Sequence, residues 1–282
     1  MNWILNHEPA VRLGFFVGVF VTMAIWELIV PRRRLRASKG LRWFANLGIM
    51  ILSTLVVRVI FPTAAVGMAL VAAERGWGLL NNLDLAPAVS IALAILILDF
   101  AIYLQHVMFH AVPALWRLHM VHHADIDFDV TTGLRFHPFE IVLSMLIKLA
   151  VMALLGPPAV AVIIFEVVLN ATAIFNHGNI RLPAVVDRVL RWIVVTPDMH
   201  RVHHSVRTLE TNSNFGFNLP WWDRLLGTYR DRPEGGHEAM SIGLSQFQNR
   251  PRQSLPWLLA LPFTGRVVVD SQGNQAERSS SL

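Results

Sequence analysis

Residues 99–123 read DFAIYLQHVMFHAVPALWRLHMVHH. Five histidines fall within these residues, as H-x-x-x-H at His106 and His110 and as H-x-x-H-H at His119, His122 and His123. A second H-x-x-H-H follows at His200, His203 and His204. On a helix, positions i, i+3 and i+4 share one face, so each triplet gathers three imidazoles into a small volume and the i, i+4 pair adds two more. Protonated, such a crowd would repel itself. Neutral, imidazoles are good ligands for a borderline metal such as iron or zinc. Eight imidazoles are too many for one ion and suit two. A lone histidine in an apolar stretch is ordinarily a packed or surface residue. Here ten of the twelve histidines lie between residues 106 and 204. His7 and His237 fall in terminal or loop contexts and receive no role.

The surrounding chain is apolar. Its 282 residues are 54% hydrophobic and only 15% charged, with a mean hydropathy of +0.48. That composition points to a membrane protein. With no cysteine, a disulfide framework, a cysteine-ligated cluster and a haem-thiolate centre are excluded. The pI of about 10.6 does not indicate a nucleic-acid partner. The basic residues border apolar segments, where they orient helices and meet lipid headgroups.

Working outward, residues 11–30 form an apolar run interrupted by Arg12 and Glu27, and Arg32, Arg33, Arg34, Arg36, Lys39 and Arg42 follow it. A cleaved signal peptide has the reverse order of charge and apolar core, so this is read as an uncleaved span with its N-terminus outside. Residues 43–61 return, and residues 62–85 form an outer connection. Residues 86–104 then bring His106 and His110 to the cytoplasmic side. Residues 139–155 and 158–175 meet at Gly156-Pro157-Pro158, as two full spans or as a re-entrant hairpin; either returns His177 to the side of the other histidines. Residues 257–263 are expected on the membrane surface, and the polar tail from Asp270 is expected to be disordered. The fold class that follows is all-α: an integral membrane bundle of four to five apolar segments carrying a cytoplasmic, histidine-rich di-metal cap. Three regions are expected: 1–85 with the first helices and outer connection, 86–235 as the catalytic domain, and 236–282 as an interfacial segment and tail.

Supporting residues follow from spacing. Asp99, Tyr103, His106 and His110 stand at i, i+4, i+7 and i+11 and form one stripe. Glu166, Asn170, Ala173 and His177 repeat it. A carboxylate inside an apolar helix is costly and normally faces a partner or cavity, and a metal-bound imidazole needs an acceptor for its other N–H. Asp99 and Glu166 are therefore expected to accept from ligand imidazoles, with Tyr103 and Asn170 beside them. The competing reading pairs each carboxylate with a basic side chain or puts it at the headgroups. His177 is expected as a ligand. His137, before Pro138, is read as a ligand, a supporting group or the cap of the following helix.

With these residues in hand, the sequence resembles the fatty acid hydroxylase / sterol desaturase superfamily, marked by H-x-x-x-H, H-x-x-H-H and H-x-x-H-H in that order on a helical membrane scaffold. The flanks match too: Trp116-Arg117-Leu118, Phe136-His137-Pro138, Asn176-His177-Gly178, Asn212 to Gly216, and Trp222 to Thr228. The resemblance covers about residues 95–235. It implies a non-haem di-iron centre, with zinc able to replace iron in purified protein. It also implies O₂ and two electrons spent on hydroxylating or desaturating a lipid drawn from the bilayer. The nine-residue step from His110 to His119 looks most like the sterol desaturase and alkylglycerol monooxygenase branches. No His-Pro-Gly-Gly haem motif and no G-x-G-x-x-G motif occurs, so a separate electron donor of ferredoxin or cytochrome b5 type, with its reductase, is expected. The membrane would be a bacterial inner membrane, or the endoplasmic reticulum in a eukaryote. Two other classes compete. A membrane zinc metallohydrolase would need a motif such as H-E-x-x-H, which is absent. A non-enzymatic metal-binding protein, such as a transporter, would spread its ligands along a path across the membrane.

Overall fold

A computed structural model describes residues 7–248 and 253–264; the tail from Asp270 lies outside them. Among the described residues the secondary structure is helical, with two isolated bridges, Pro31–Ile180 and Ser205–Ile242, and no strand. The main helices are α1 (Glu8–Ile29), α2 (Lys39–Ile60), α3 (Ala64–Arg75), α4 (Pro87–Ala111), α5 (Pro113–His123), α6 (Pro138–Leu155) and α7 (Ala159–Asn176). Shorter pieces follow: α8 (Ala184–Leu190), α9 (Pro197–His203), α10 (Thr208–Thr211), α11 (Trp221–Leu225), α12 (Gly236–Ala239) and α13 (Leu255–Ala260).

Local chemistry sets the boundaries. Pro9, Pro87, Pro113 and Pro138 each stand in the first turn of their helix, where the missing N–H costs nothing. Pro113 also separates α4 from α5, so the two histidine motifs before and after it point from different helices. Gly76 and Gly156 end α3 and α6 at φ of 65° and 61°, a conformation glycine adopts without strain.

Five segments are long and apolar enough to cross a membrane: Glu8–Ile29, Lys39–Asn82, Pro87–Ala111, Pro138–Leu155 and Ala159–Asn176. The expected outer connection is therefore largely helical. In α3, Ala65, Ala69 and Ala72 recur at i, i+4 and i+7 and are buried, and small side chains there let α3 pack against α6 and α7. One core cluster joins Ala69, Leu98, Met152 and Phe165. Another joins Ala45 and Ile49 of α2 to Met120 and Val121 of α5 and to Leu258 and Leu261. The 257–263 segment thus buries part of its apolar surface inside the protein.

The loop between α5 and α6 carries Asp125, Asp127 and Asp129, yet it is buried. Buried charge needs a partner, and α2 supplies it. The Arg42 guanidinium donates to both Asp125 oxygens at 2.8 Å and to Asp129 Oδ2 at 2.7 Å. Glu27 of α1 accepts from the Val130 and Asn179 backbone N–H groups at 2.8 and 2.6 Å. These contacts fix the loops on either side of the histidine-bearing ends of α5 and α7.

Candidate metal centre

Nine buried histidines collect at one end of the bundle in two groups. His106, His110, His119, His123 and His203 form one, and His122, His177, His200 and His204 the other. In each, one ring nitrogen per residue lies within 4.8 Å of the others. Three of the contributing helices present their histidines from the sequence motifs; His177 arrives as the C-cap of α7. Adjacent residues separate: His122 and His123 go to different groups, and so do His203 and His204.

The first group is organised by its Nδ1 atoms. His106 Nδ1 lies 2.8 Å from the Phe215 carbonyl, His203 Nδ1 2.8 Å from the Ser213 carbonyl, His110 Nδ1 3.2 Å from Asn212 Oδ1, and His119 Nδ1 2.6 Å from Glu140 Oε1. Carbonyl and carboxylate acceptors require the proton on Nδ1, which leaves the Nε2 lone pair free. In all five residues Nε2 is buried and without a hydrogen-bond partner among the described residues. Buried polar atoms are normally paired, and five orphaned lone pairs facing one another are the donor set of a cation. In the second group, His177 Nδ1 lies 2.7 Å from the Ala173 carbonyl, while His177 Nε2 lies 3.2 Å from His122 Nε2 and 3.1 Å from His200 Nε2. Three ring nitrogens converging at that spacing fit ligands around one ion. Burial lowers His119 and His177 to about 3. Burial first, then neighbouring imidazoles, also lowers His122, His123, His200 and His204 well below the usual imidazole value. The imidazoles are thus neutral at ordinary pH, as ligation requires.

The acceptors come from a loop that the motif spacing does not reveal. Residues 212–216 are held by Asp223, which accepts from the Phe215 and Gly216 backbone at 2.7 and 2.9 Å and from the Thr228 hydroxyl at 2.7 Å. Asn214, at φ 52°, donates to the Met199 and Arg230 carbonyls. A Cβ at Gly216 would come within 2.8 Å of Asp223 Oδ2. Glu140 is the one acidic residue of the apolar 139–155 run, and that isolation is the signal that would have found it.

Several expected residues stand elsewhere. Glu166 pairs with Lys148 at 2.8 Å and Arg12 at 3.0 Å, the competing reading. Asn170 is exposed. Asp99 accepts from Trp222 Nε1 at 2.8 Å and from the Leu219 backbone at 3.3 Å, not from an imidazole. Tyr103 bonds Thr228 at 2.9 Å and supports the 212–228 region. His137 joins neither group. Its Nδ1 accepts from the Phe139 backbone at 3.2 Å and caps α6, and its Nε2 meets the Leu259 carbonyl at 3.2 Å.

Comparison with known proteins gives a consistent picture. The family model Fatty acid hydroxylase matches residues 91–228. An ornithine lipid hydroxylase, OlsE, of Rhizobium tropici is 32% identical over 55% of this chain and 46% of its own length. An alkylglycerol monooxygenase of Xenopus tropicalis is 31% identical over 46% of this chain and 28% of its own length. A cholesterol 25-hydroxylase of Rattus norvegicus is 25% identical over 51% of this chain and 47% of its own length. The chain thus spans less than half the length of each of these relatives. No solved structure matches it.

Proposed function

We propose, from the premise that residues 91–228 belong to the fatty acid hydroxylase family, that the chain is a membrane-bound di-iron oxygenase hydroxylating or desaturating a C–H bond of a lipid. The single observation that carries this reading is the pair of buried histidine groups whose ring nitrogens converge without other partners. His106, His110, His119, His123 and His203 would hold one iron. His122, His177, His200 and His204 would hold the other. All-imidazole donors suit iron and zinc, and the names of the relatives favour oxidative lipid chemistry. When bound, the two metals would supply the reduction of O₂, with two electrons from a separate ferredoxin- or cytochrome b5-type donor. The histidine end would face the cytoplasm, following the arginine-rich segment after α1.

The chain's own residues supply position and exclusion. Phe215, Asn212, Ser213 and Glu140 hold four imidazoles by Nδ1, so no ring can rotate its Nε2 away. Phe217 lies 5.1 Å from the His106 ring, Trp116 4.8 Å from His110 and Phe136 4.5 Å from His122. These aromatic walls keep water out and suit an alkyl chain.

Metal analysis of the purified protein tests the reading. Two metal ions per chain are expected. His203→Ala should remove the metal of the first group, and His204→Ala that of the second. Iron should restore lipid oxidation in the presence of a donor system and O₂. Two zinc ions supporting hydrolysis, and no O₂ consumption after iron loading, would overturn it.

A further inference from the structure

An open cleft of about 1000 Å³ is lined by none of the nine clustered histidines. Six arginines and four carboxylates line it. Its position relative to the apolar spans gives it meaning. Pro31 and Ile180 form a bridge, the Arg32 N–H donates to the Asn179 carbonyl at 2.9 Å, and the Arg181 N–H donates to the Val30 carbonyl at 3.1 Å. The exits of α1 and α7 therefore lie side by side, and the cleft opens between them. Two apolar helices that leave the bilayer together mark the headgroup layer.

Beside the cleft are two short helices with bare apolar faces. On and just after α8, Val185, Val189, Trp192 and Ile193 recur at helical spacing and are exposed, Val185 at 70%. On α11, Trp221 and Leu225 are exposed, Leu225 at 73%. Trp221 Nε1 donates to the Trp192 carbonyl at 2.7 Å, which joins the two faces into one. The depth of this surface follows from α4. Trp222 of α11 donates to Asp99 and packs 4.7 Å from Phe100. Asp99 precedes His106 by seven residues, about 10 Å along the helix axis toward the bilayer. The α11 face is thus level with a part of α4 that lies within an apolar segment long enough to cross a membrane.

We propose that α8 and α11 form a foot that dips into the bilayer and that the arginine-lined cleft behind it holds the phosphate of an anionic phospholipid. Guanidinium forks match phosphate oxygens in geometry and charge. Arg188 is exposed and forms no ion pair among the described residues. The Arg181–Glu238 and Arg232–Asp231 pairs are largely exposed, so they are weakly held and can exchange a carboxylate for a phosphate. Arg224 stacks 4.2 Å over Trp192 and 3.9 Å over Tyr229, which ties the charged cleft to the apolar foot. Apolar insertion and basic attraction together give stable interfacial binding where either alone is marginal.

The natural chain has no cysteine, so Val185→Cys and Leu225→Cys can each carry one nitroxide in the full-length protein. The labels are read in nanodiscs of phosphatidylcholine with or without phosphatidylglycerol, by accessibility to O₂ against a nickel chelate. Both labels should lie below the headgroups in the mixed discs. Native mass spectrometry should show phosphatidylglycerol retained over phosphatidylcholine. The double charge reversal Arg188→Glu, Arg232→Glu should cut that retention about tenfold or more, while the Leu225 label keeps its depth and so reports an intact fold. Labels exposed to water in both discs would overturn the foot and leave that face to a protein partner. Retention unchanged by the reversal would overturn the phosphate site. Neither readout needs turnover, so the oxygenase reading can fail without touching this one.

Discussion

At Glu140 one carboxylate oxygen sits 2.6 Å from His119 Nδ1, and an imidazole held this way presents a fixed Nε2. Outer partners of this kind contribute about 10–100-fold in metal affinity or activity. Glu140→Gln is expected to keep the metal of the first group with affinity reduced within that range, and Glu140→Leu to lose it. Competition with a calibrated chelator measures both, and wild-type affinity in the leucine variant would refute the role. His137→Ala is expected to keep both metals and to lose about 1 kcal/mol of stability through the α6 cap, read by metal content and thermal unfolding. The metal-free protein should be acid-sensitive. Burial lowers His119 and His177 from 6.5 to about 3, so between those values the unfolded chain takes up protons that the folded chain refuses. Stability is then full above about pH 6.5 and falls as pH drops below it toward 3. A melting temperature that stays level from about pH 8 to about pH 5 in chelator-stripped protein would contradict this. The sequence made the histidines legible because their spacing follows the helical repeat. It misdirected on Asp99 and Glu166. A shared stripe says which way a carboxylate points, but the Trp222 and Lys148 partners come from elsewhere in the chain.

The elements meet the site through connections that no local pattern announces. By position the Arg32 to Arg42 run is the charge that orients a span, yet Arg42 turns inward, fully buried, onto Asp125 and Asp129. Removing one partner of a buried ion cluster strands the others and costs about 3–5 kcal/mol. Arg42→Ala should therefore lower thermal stability by about that much, and unfolding at the wild-type temperature would count against the cluster. The same loop carries Gly133, where a Cβ would meet the Ala173 carbonyl at 2.8 Å and His177 Nδ1 at 3.0 Å. Gly133→Ala is expected to push His177 off its acceptor and to release metal from the second group more readily than from the first. Equal metal in both groups would contradict this. Helix limits were legible wherever proline or glycine stood at an end. The burial of the acidic loop is not legible locally, because the arginine that neutralises it comes from α2.

Across the whole molecule, the five apolar segments and the gathering of histidines at one end follow from hydropathy and helical period. The packing of residues 212–228 beneath the histidines does not, since its contacts join residues more than a hundred positions apart. Reporter fusions at residues 36 and 240 are expected to report the same, cytoplasmic, side; a signal from opposite sides would overturn the topology. The split of neighbouring histidines between the two groups has a mechanical consequence. Helix α5 gives His119 and His123 to one group and His122 to the other, and the end of α9 divides His203 from His200 and His204 in the same way. Rolling either helix about its axis changes both donor sets at once, like one shaft turning two gears. An ion seated in one set locks the roll for the other, so the two occupancies are thermodynamically linked. Titration of the empty protein with ferrous iron should be sigmoidal, with half-filled molecules scarce throughout, and two independent hyperbolic steps would show that the shafts turn freely.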